Sequence, residues 1–480
     1  MHSIMKSMCS EKLSPDFLEK TFNSLNLTSA QTNLLKSAFE SAEFLTENEF
    51  TVSNRNTLSY DSKVITFGLN LFAKNFSDYL GVGSMEKMSI VQGKYFPSFS
   101  NPIDIITNFY QTRMKIPDHQ IPNSLQEPPF WFLFYNLLKL AEYETASRML
   151  SSLDPNYQIL TIILKSLETD VEIILNHDKI QDLQNLSTTR LRASNDLYEK
   201  LIISLLTFSH IDAETLKPLE TLEEFVWFKL LRIKLSILLS SKTLKNPLLT
   251  IQEEIIQDFE IKGSDASLLF SRSTCLFTIG AFEKAIHNLC NDRLGLIMAM
   301  HITIVLYKRH LVNVTISNNL PLLVVDDIDE IPKYTLNIGY LLRIFFHNYN
   351  QAFDMTILDY FVPFKDLESG DTDIFSLVSA FLFDKFSEFD PGLLYHWWDI
   401  DSEKPLSEDY MSCARSLAEY CVKIRETFIA FSIYCKINDL NQVIETMTDL
   451  LIEIMAAPDV YSPEMIEEIL KRAHELGNKL

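Results

Sequence analysis

The chain has 480 residues, of which 47% are apolar, with 11 glycines and a formal net charge of −22. The apolar share excludes a disordered chain and is enough for a continuous core. The acidity weighs against nucleic acid as the main partner, because a phosphate backbone demands a basic face, and it disfavours adsorption to anionic membranes.

Glycine at an ordinary share of about 7% would mean roughly 34 residues, yet none occurs between Lys94 and Lys262. Tight β-hairpins and phosphate-cradling loops use glycine for positive φ. The scarcity therefore predicts an all-α chain of helices joined by ordinary turns.

From the start, residues 1–12 lack the apolar block of a signal peptide. The sequons Asn26-Leu27-Thr28 and Asn313-Val314-Thr315 are accordingly expected to be inert. Residues 1–56 are expected to form a separable front piece of two short amphipathic helices, near 15–25 and 30–45, and a polar linker. Residues 57–480 are expected to form one helical scaffold domain. From Leu58 the helical pattern is interrupted only near 81–93, 117–129, 326–332 and 363–373, and none of these is long enough for a domain linker.

Helix starts are marked by a capping side chain before proline. They occur at Ser14-Pro15, Asn101-Pro102, Asp154-Pro155, Asn246-Pro247, Asp390-Pro391 and Ser462-Pro463. Thr221 with Glu224, and Thr250 with Glu253, have capping-box spacing. Two apolar stripes close the chain, Val443, Ile444, Met447, Leu450, Leu451 and Ile454, then Met465, Ile466, Ile469, Leu470 and Ala473. The longest apolar runs, 130–138 and 296–307, are too short or too polar for a membrane span of about 20 residues.

One turn-then-helix phrase recurs. Aligned on Tyr143, Phe282 and Leu440, each copy has a small or slim residue three positions on (Ala146, Ala285, Val443). Each has a large apolar one seven positions on (Leu150, Leu289, Met447). That spacing is one helix face entered from a short turn. The alanines let a neighbouring helix approach closely, whereas Lys284 is expected to be exposed. Three diverged, unevenly spaced copies predict an irregular α-solenoid of stacked helical hairpins, an architecture that usually holds other proteins.

Chemistry-bearing patterns are few. Asp326-Asp327-Ile328-Asp329-Glu330 resembles the magnesium-binding pattern of all-helical prenyl-transferring enzymes, in which clustered carboxylates suit a hard cation. Its partner cluster is missing, since Gln442 and Thr446 stand where ligands would be needed after Asp439. An exposed acidic turn between helices is expected instead. Gly81-Val82-Gly83 lacks the rest of a phosphate loop, and His301 and His310 form no metal-ligand pair. Trp397 and Trp398 point about 100° apart on a helix; core filling is expected for both, with exposure of one to a partner helix as the alternative. The six cysteines, including Cys413, Cys421 and Cys435, are expected to be reduced and buried. The basic residues Lys229, Arg232 and Lys234, and Lys308, Arg309 and His310, are expected to be solvated helix faces. No catalytic, cofactor-binding or metal-binding residue is expected, and no cofactor.

A family resemblance becomes specific over several ordered segments. Pro129-Phe130-Trp131-Phe132-Leu133-Phe134-Tyr135, continuing to Ala146, resembles the family hairpin of proline, tryptophan, aromatic helix, turn and alanine-bearing helix. Thr221-Leu222-Glu223-Glu224-Phe225-Val226-Trp227-Phe228-Lys229-Leu230 is similar to its acidic-aromatic-tryptophan-lysine helix. Residues 276–289, with Phe282, Glu283, Ala285 and Ile286, resemble its next hairpin. Residues 298–307 resemble the helix that follows. Leu358 and Tyr360 match the end of a further element, in which Met355 and Ile357 replace proline and alanine. Residues 407–455 resemble the later hairpins.

By these segments, residues 57–456 resemble the nucleoporin-interacting-component proteins, the linker scaffold nucleoporins of the nuclear pore inner ring. The resemblance implies an elongated, J-shaped α-solenoid related to vesicle-coat scaffolds, with no enzymatic activity, at the nuclear envelope. It implies partners among the large inner-ring scaffold nucleoporins, a membrane-linking nucleoporin and the channel nucleoporins. The family's long N-terminal arm is not matched by residues 1–56, so a reduced member with altered channel recruitment is expected. A cytoplasmic coat-type or lid-type α-solenoid adaptor is the alternative, and an all-helical lyase resting on residues 326–330 a distant third.

Overall fold

The computed structural model of the chain describes residues 28–88, 101–113, 128–239, 247–260, 266–348 and 408–457, each apart from a few single positions. It also describes parts of 358–377 and 462–474. Helix dominates these residues, and they divide into two compact units, one within Ser14–Gly295 with Arg309–Leu311 and one within Leu296–Lys308 and Val312–Leu480.

The first unit contains α1 (Ser29–Glu47), α2 (Leu58–Met88), α3 (Pro102–Arg113), α4 (Phe130–Lys139), α5 (Tyr143–Ser151) and α6 (Gln158–Thr169). It continues with α7 (His177–Ala193), α8 (Leu197–Thr207), α9 (Leu222–Leu239), α10 (Pro247–Glu260), α11 (Ala266–Thr278) and α12 (Phe282–Leu289). Thr28 caps α1 through a full capping box with Gln31, and α1 lies along α11 while α2 lies along α9. Helix α2 runs through Gly81 and Gly83, where the glycines alone suggest a break. Thr221 and Glu224 form the expected box, with Glu224 N–H donating to Thr221 Oγ1 at 3.1 Å and Thr221 N–H to Glu224 at 3.2 Å. Thr250 lies inside α10, which begins at Pro247, so Thr250 and Glu253 cap nothing. Proline at a first helical position, with its preset φ and missing donor, has set that start instead.

The hairpin phrase is borne out at its three starts, because α5 begins at Tyr143, α12 at Phe282 and the last hairpin helix at Leu440. The structure adds a fourth copy that the sequence did not single out, entered at Thr427. Each turn has one left-handed residue, Ala141 (φ 59°), Gly280 (φ 74°), Arg425 (φ 66°) or Asn438 (φ 57°). The next residue then reaches back five positions. Glu142 N–H donates to Leu137 O at 2.9 Å, Ala281 to Leu276 at 2.9 Å, Glu426 to Cys421 at 2.8 Å and Asp439 to Tyr434 at 3.1 Å. This bond satisfies a carbonyl that the helix end leaves orphaned, and the left-handed residue turns the chain back. Three residues into each second helix stand Ala146, Ala285, Ala430 and Val443, all buried. Their small size lets the helices close on each other.

Lys284 is a correction. It is 6% exposed, and burial pulls its ammonium pKa down to about 8. Helix α12 is packed on more faces than its amphipathic stripe suggests, and Lys284 is carried in with its long apolar stem.

The second unit contains Leu296–Lys308, which is most of α13 (Arg293–Lys308), then a small sheet and the later hairpins. The sheet is a small addition to an all-α solenoid fold that otherwise stands as expected. Strand β2 (Leu323–Asp329) pairs antiparallel with β3 (Ile331–Asn337), Val324 opposite Thr335 and Asp326 opposite Lys333. The short β1 (Val314–Thr315) pairs parallel with β3. Of the acidic run expected as a turn between helices, Asp326 to Asp329 is thus strand, carried by the β-branched residues that precede it, Val324 and Val325, and Glu330 lies outside the described residues. Asn337 is fully buried and closes the sheet. Its side chain donates to Ser317 O and Leu320 O, both at 2.8 Å, and accepts from Tyr340 N–H at 3.3 Å as α14 (Ile338–Asn348) begins.

His301 on α13 is buried, with Nδ1 2.6 Å from Ile297 O, and burial lowers its pKa. A short helix, α15 (Leu358–Phe361), places Phe361 stacked on Phe346 at 5.4 Å. Three further helices, α16 (Glu408–Lys423), α17 (Thr427–Lys436) and α18 (Leu440–Ala456), pack in succession. On α18 Val443 and Leu450 are buried whereas Ile444 is largely exposed, so the expected stripe is only partly covered. Farther on, Ile469 is buried and Leu470 exposed.

Candidate functional site

The first unit encloses a groove of about 600 Å³. Its walls come from seven helices and one loop, so each contributes only one to four side chains. Helix α4 supplies Phe132, Tyr135, Asn136 and Lys139; α2 supplies Phe72, Asn75, Phe76 and Tyr79. Helix α9 adds Glu223, Glu224 and Trp227, α8 adds Tyr198 and α3 adds Phe109. Ala30, Asn33, Ser271 and Thr274 of α1 and α11 close the rest, with Pro218, Glu220 and Thr221 from the loop before α9.

The aromatic rings meet edge to face. Tyr135 and Trp227 have centroids 5.6 Å apart, Phe132 and Tyr198 5.4 Å, and Tyr79 and Phe109 5.7 Å. Most of these rings are buried, but Tyr79 is 61% exposed at the mouth.

Glu224 organises the polar part. The capping box fixes its backbone, Glu220 N–H donates to its carboxylate at 2.7 Å, and Lys139 Nζ pairs with it from the last turn of α4. Lys139 also sits 3.7 Å from the Phe76 centroid, a cation–π contact that holds the ammonium against the groove wall. Burial, and secondarily the Glu224 carboxylate, raise the Tyr135 phenol well above its ordinary pKa, so it stays neutral. The site presents aromatic faces and carboxylates. It has the chemistry to receive a flat apolar side chain and a cation together.

Sequence reasoning missed this groove. The signal available was the density of aromatics in Phe130-Trp131-Phe132-Leu133-Phe134-Tyr135 beside the acid-aromatic start of α9.

The other candidates are dispersed. Asp326 is exposed on β2, Trp397 and Trp398 lie outside the described residues, and so do Ser14-Pro15 and Asp390-Pro391. Cys275 and Cys421 are buried whereas Cys290 and Cys435 are only half-buried, and desolvation pushes the Cys421 and Cys290 thiols up to about 12. Lys229, Arg232 and Lys234 are not a solvated face. Lys229 pairs with Glu254 at 2.7 Å, Lys234 with Asp170 at 3.1 Å, and Arg232 donates to Phe208 O and Ser209 O. Neighbouring helices offer acceptors that a single-helix view cannot see. Among the described residues no three His, Cys, Asp or Glu side chains are placed to hold a metal ion, and no helix is long and apolar enough to cross a membrane.

Residues 4–394 match the family model Nup93/Nic96. The chain belongs to the Nup93/Nic96 family. Its fold is similar to the crystal structure of Chaetomium thermophilum Nic96 SOL, with a TM-score of 0.58 and 13% identity over 90% of this chain and 67% of that one. No curated protein sequence matches it. This Nup93/Nic96 chain is therefore a helical-solenoid scaffold nucleoporin of the nuclear pore complex, at the nuclear envelope, and binds other nucleoporins.

Proposed function

We propose that the chain works without catalysis as a bridge in the inner ring, holding a large scaffold nucleoporin and a membrane-linking nucleoporin on separate stretches of its hairpin surface. Recruitment of channel nucleoporins is a further proposed role. The observation that carries the reading is the recurrence of one turn geometry at Ala141, Gly280, Arg425 and Asn438. The helices entered at Tyr143 and Leu440 each bury one face and leave another outward, which is how a solenoid offers extended binding surface.

The test is reconstitution. The purified chain is mixed with the large inner-ring nucleoporin and the membrane-linking nucleoporin of the same cell, separately and together. A ternary complex on gel filtration, with each partner also binding alone, is expected. Mutually exclusive binding would overturn the bridge. A tagged chain on vesicles, instead of in puncta at the nuclear rim, would favour the coat-type adaptor.

A further inference from the structure

Three observations on the aromatic groove concern the kind of segment it takes. Its volume, about 600 Å³, falls within the roughly 300–1,000 Å³ of sites that enclose a ligand. Its mouth carries Tyr79, a large ring left mostly in solvent. Its lining holds three carboxylates, Glu220, Glu223 and Glu224, against one cation, Lys139, which Glu224 already engages.

We infer that this groove docks a short segment of another protein that carries an aromatic or large aliphatic side chain beside an arginine or lysine. The inference rests on the bridging reading and names the chemistry of one partner. The apolar side chain would lie among Phe72, Phe76 and Trp227, displacing water from surfaces that gain nothing from it. The cation would stand between the Tyr79 ring and the Glu223 carboxylate, attracted by the ring face and by the charge. Charge excludes other occupants. An acidic peptide or a phosphate-bearing surface meets like charge at the rim, and a second copy of this chain brings its own net −22.

The test uses the full chain and a fluorescein-labelled synthetic helical peptide with Phe, Leu and Arg on one face. Its counterpart has Glu in place of each Arg. Fluorescence anisotropy is expected to show binding of the Arg peptide, roughly tenfold or more tighter than the Glu peptide and weakened by salt. Tyr79→Ala and Glu223→Lys should each weaken the Arg peptide several-fold while keeping the wild-type melting curve. Glu223→Lys should also improve the Glu peptide. Equal affinity for both peptides, no binding of either, or affinity unmoved by both variants overturns the proposal. Concentration-dependent self-association lost in the same variants would overturn it by assigning the groove to a second copy. If Tyr79→Ala still forms the ternary complex with the two ring partners, failure of the docking proposal leaves the bridge standing.

Discussion

Arg55 donates through Nη1 to both carboxylate oxygens of Glu283, at 3.1 and 2.9 Å, and its guanidinium lies 5.1 Å from the Phe282 ring centroid. Both side chains are nearly buried, 12% and 5% exposed. The segment between α1 and α2 is thereby clamped onto the start of α12, and Val52 N–H adds a 3.0 Å bond to His310 O. Arg55→Ala would take from the buried Glu283 carboxylate the guanidinium that holds both of its oxygens. Breaking a buried pair from one side costs about 3–5 kcal/mol. Urea unfolding should show this as a lower midpoint, with Arg55→Ala and Glu283→Ala far from additive when combined. Additive losses would mean that the two residues do not act as a pair.

The hairpin alanines give a second expectation. Ala146 and Ala285 are fully buried, and a ring at either site has no room without moving a helix. Ala285→Phe and Ala146→Phe should each destabilise by about 1–3 kcal/mol. Glu144→Leu, two residues before Ala146 on the exposed face of the same helix, should stay within about 0.5 kcal/mol. Thermal melts that fail to separate the two kinds of variant would remove the close-packing account.

Much of this was legible in the sequence for a definite reason. Tyr143, Phe282 and Leu440 begin helices where the alignment of the three phrases puts them, because an i, i+3, i+7 pattern encodes a face directly. The fourth copy obeys the same spacing at Thr427, Ala430 and Tyr434, but its turn residue is Arg425, which carries no turn signature. The acidic hairpin at 323–337 was hidden because strand pairing between Val324 and Thr335 depends on long-range contact, and the carboxylates favour a loop reading. The groove was hidden more deeply. Phe76, Lys139 and Glu224 come from three distant segments, and nothing local in any of them announces the other two.

Asp61 gives a pH dependence. It is buried in the first turn of α2, and desolvation raises its pKa to about 7. The folded state therefore holds a proton that the unfolded chain releases near pH 4. Stability from this group is full below about pH 4 and is lost as pH rises through about 7. Asp61→Asn should remove that loss and gain on wild type at pH 8 relative to pH 5. Lys284, with its lowered pKa, acts in a separate window above pH 8. Parallel melting curves for wild type and Asp61→Asn across pH 5–8 would show Asp61 to be solvated.

The acidic hairpin separates a scaffold from a metal-dependent enzyme. If Asp326, Asp327 and Glu330 held magnesium, the ion would raise the melting temperature by linkage. With Asp326 exposed on an edge strand and directly opposite Lys333, we expect no magnesium-specific shift. The triple alanine variant should stay within about 1 kcal/mol of wild type. A magnesium-dependent gain abolished by the substitutions would return the carboxylates to chemistry.

The four hairpin turns make opposite predictions for one substitution type. Ala141 and Arg425 pay for a left-handed backbone that glycine adopts freely. Ala141→Gly and Arg425→Gly should therefore stabilise by about 0.5–1 kcal/mol. Gly280 occupies the same backbone position, but its hydrogen faces the Tyr60 hydroxyl, and a methyl there would overlap that oxygen. Tyr60 is buried, and its ring meets Phe50 edge-on at 5.2 Å, so it has little freedom to retreat. Gly280→Ala should destabilise by more than the roughly 1 kcal/mol that the backbone strain alone would cost. The companion Tyr60→Phe removes the clashing oxygen, and in that background the cost should fall back toward the strain value. If Gly280→Ala is as mild in wild type as in Tyr60→Phe, close approach of α2 to the turn is not what reserves this position for glycine, and its left-handed φ suffices.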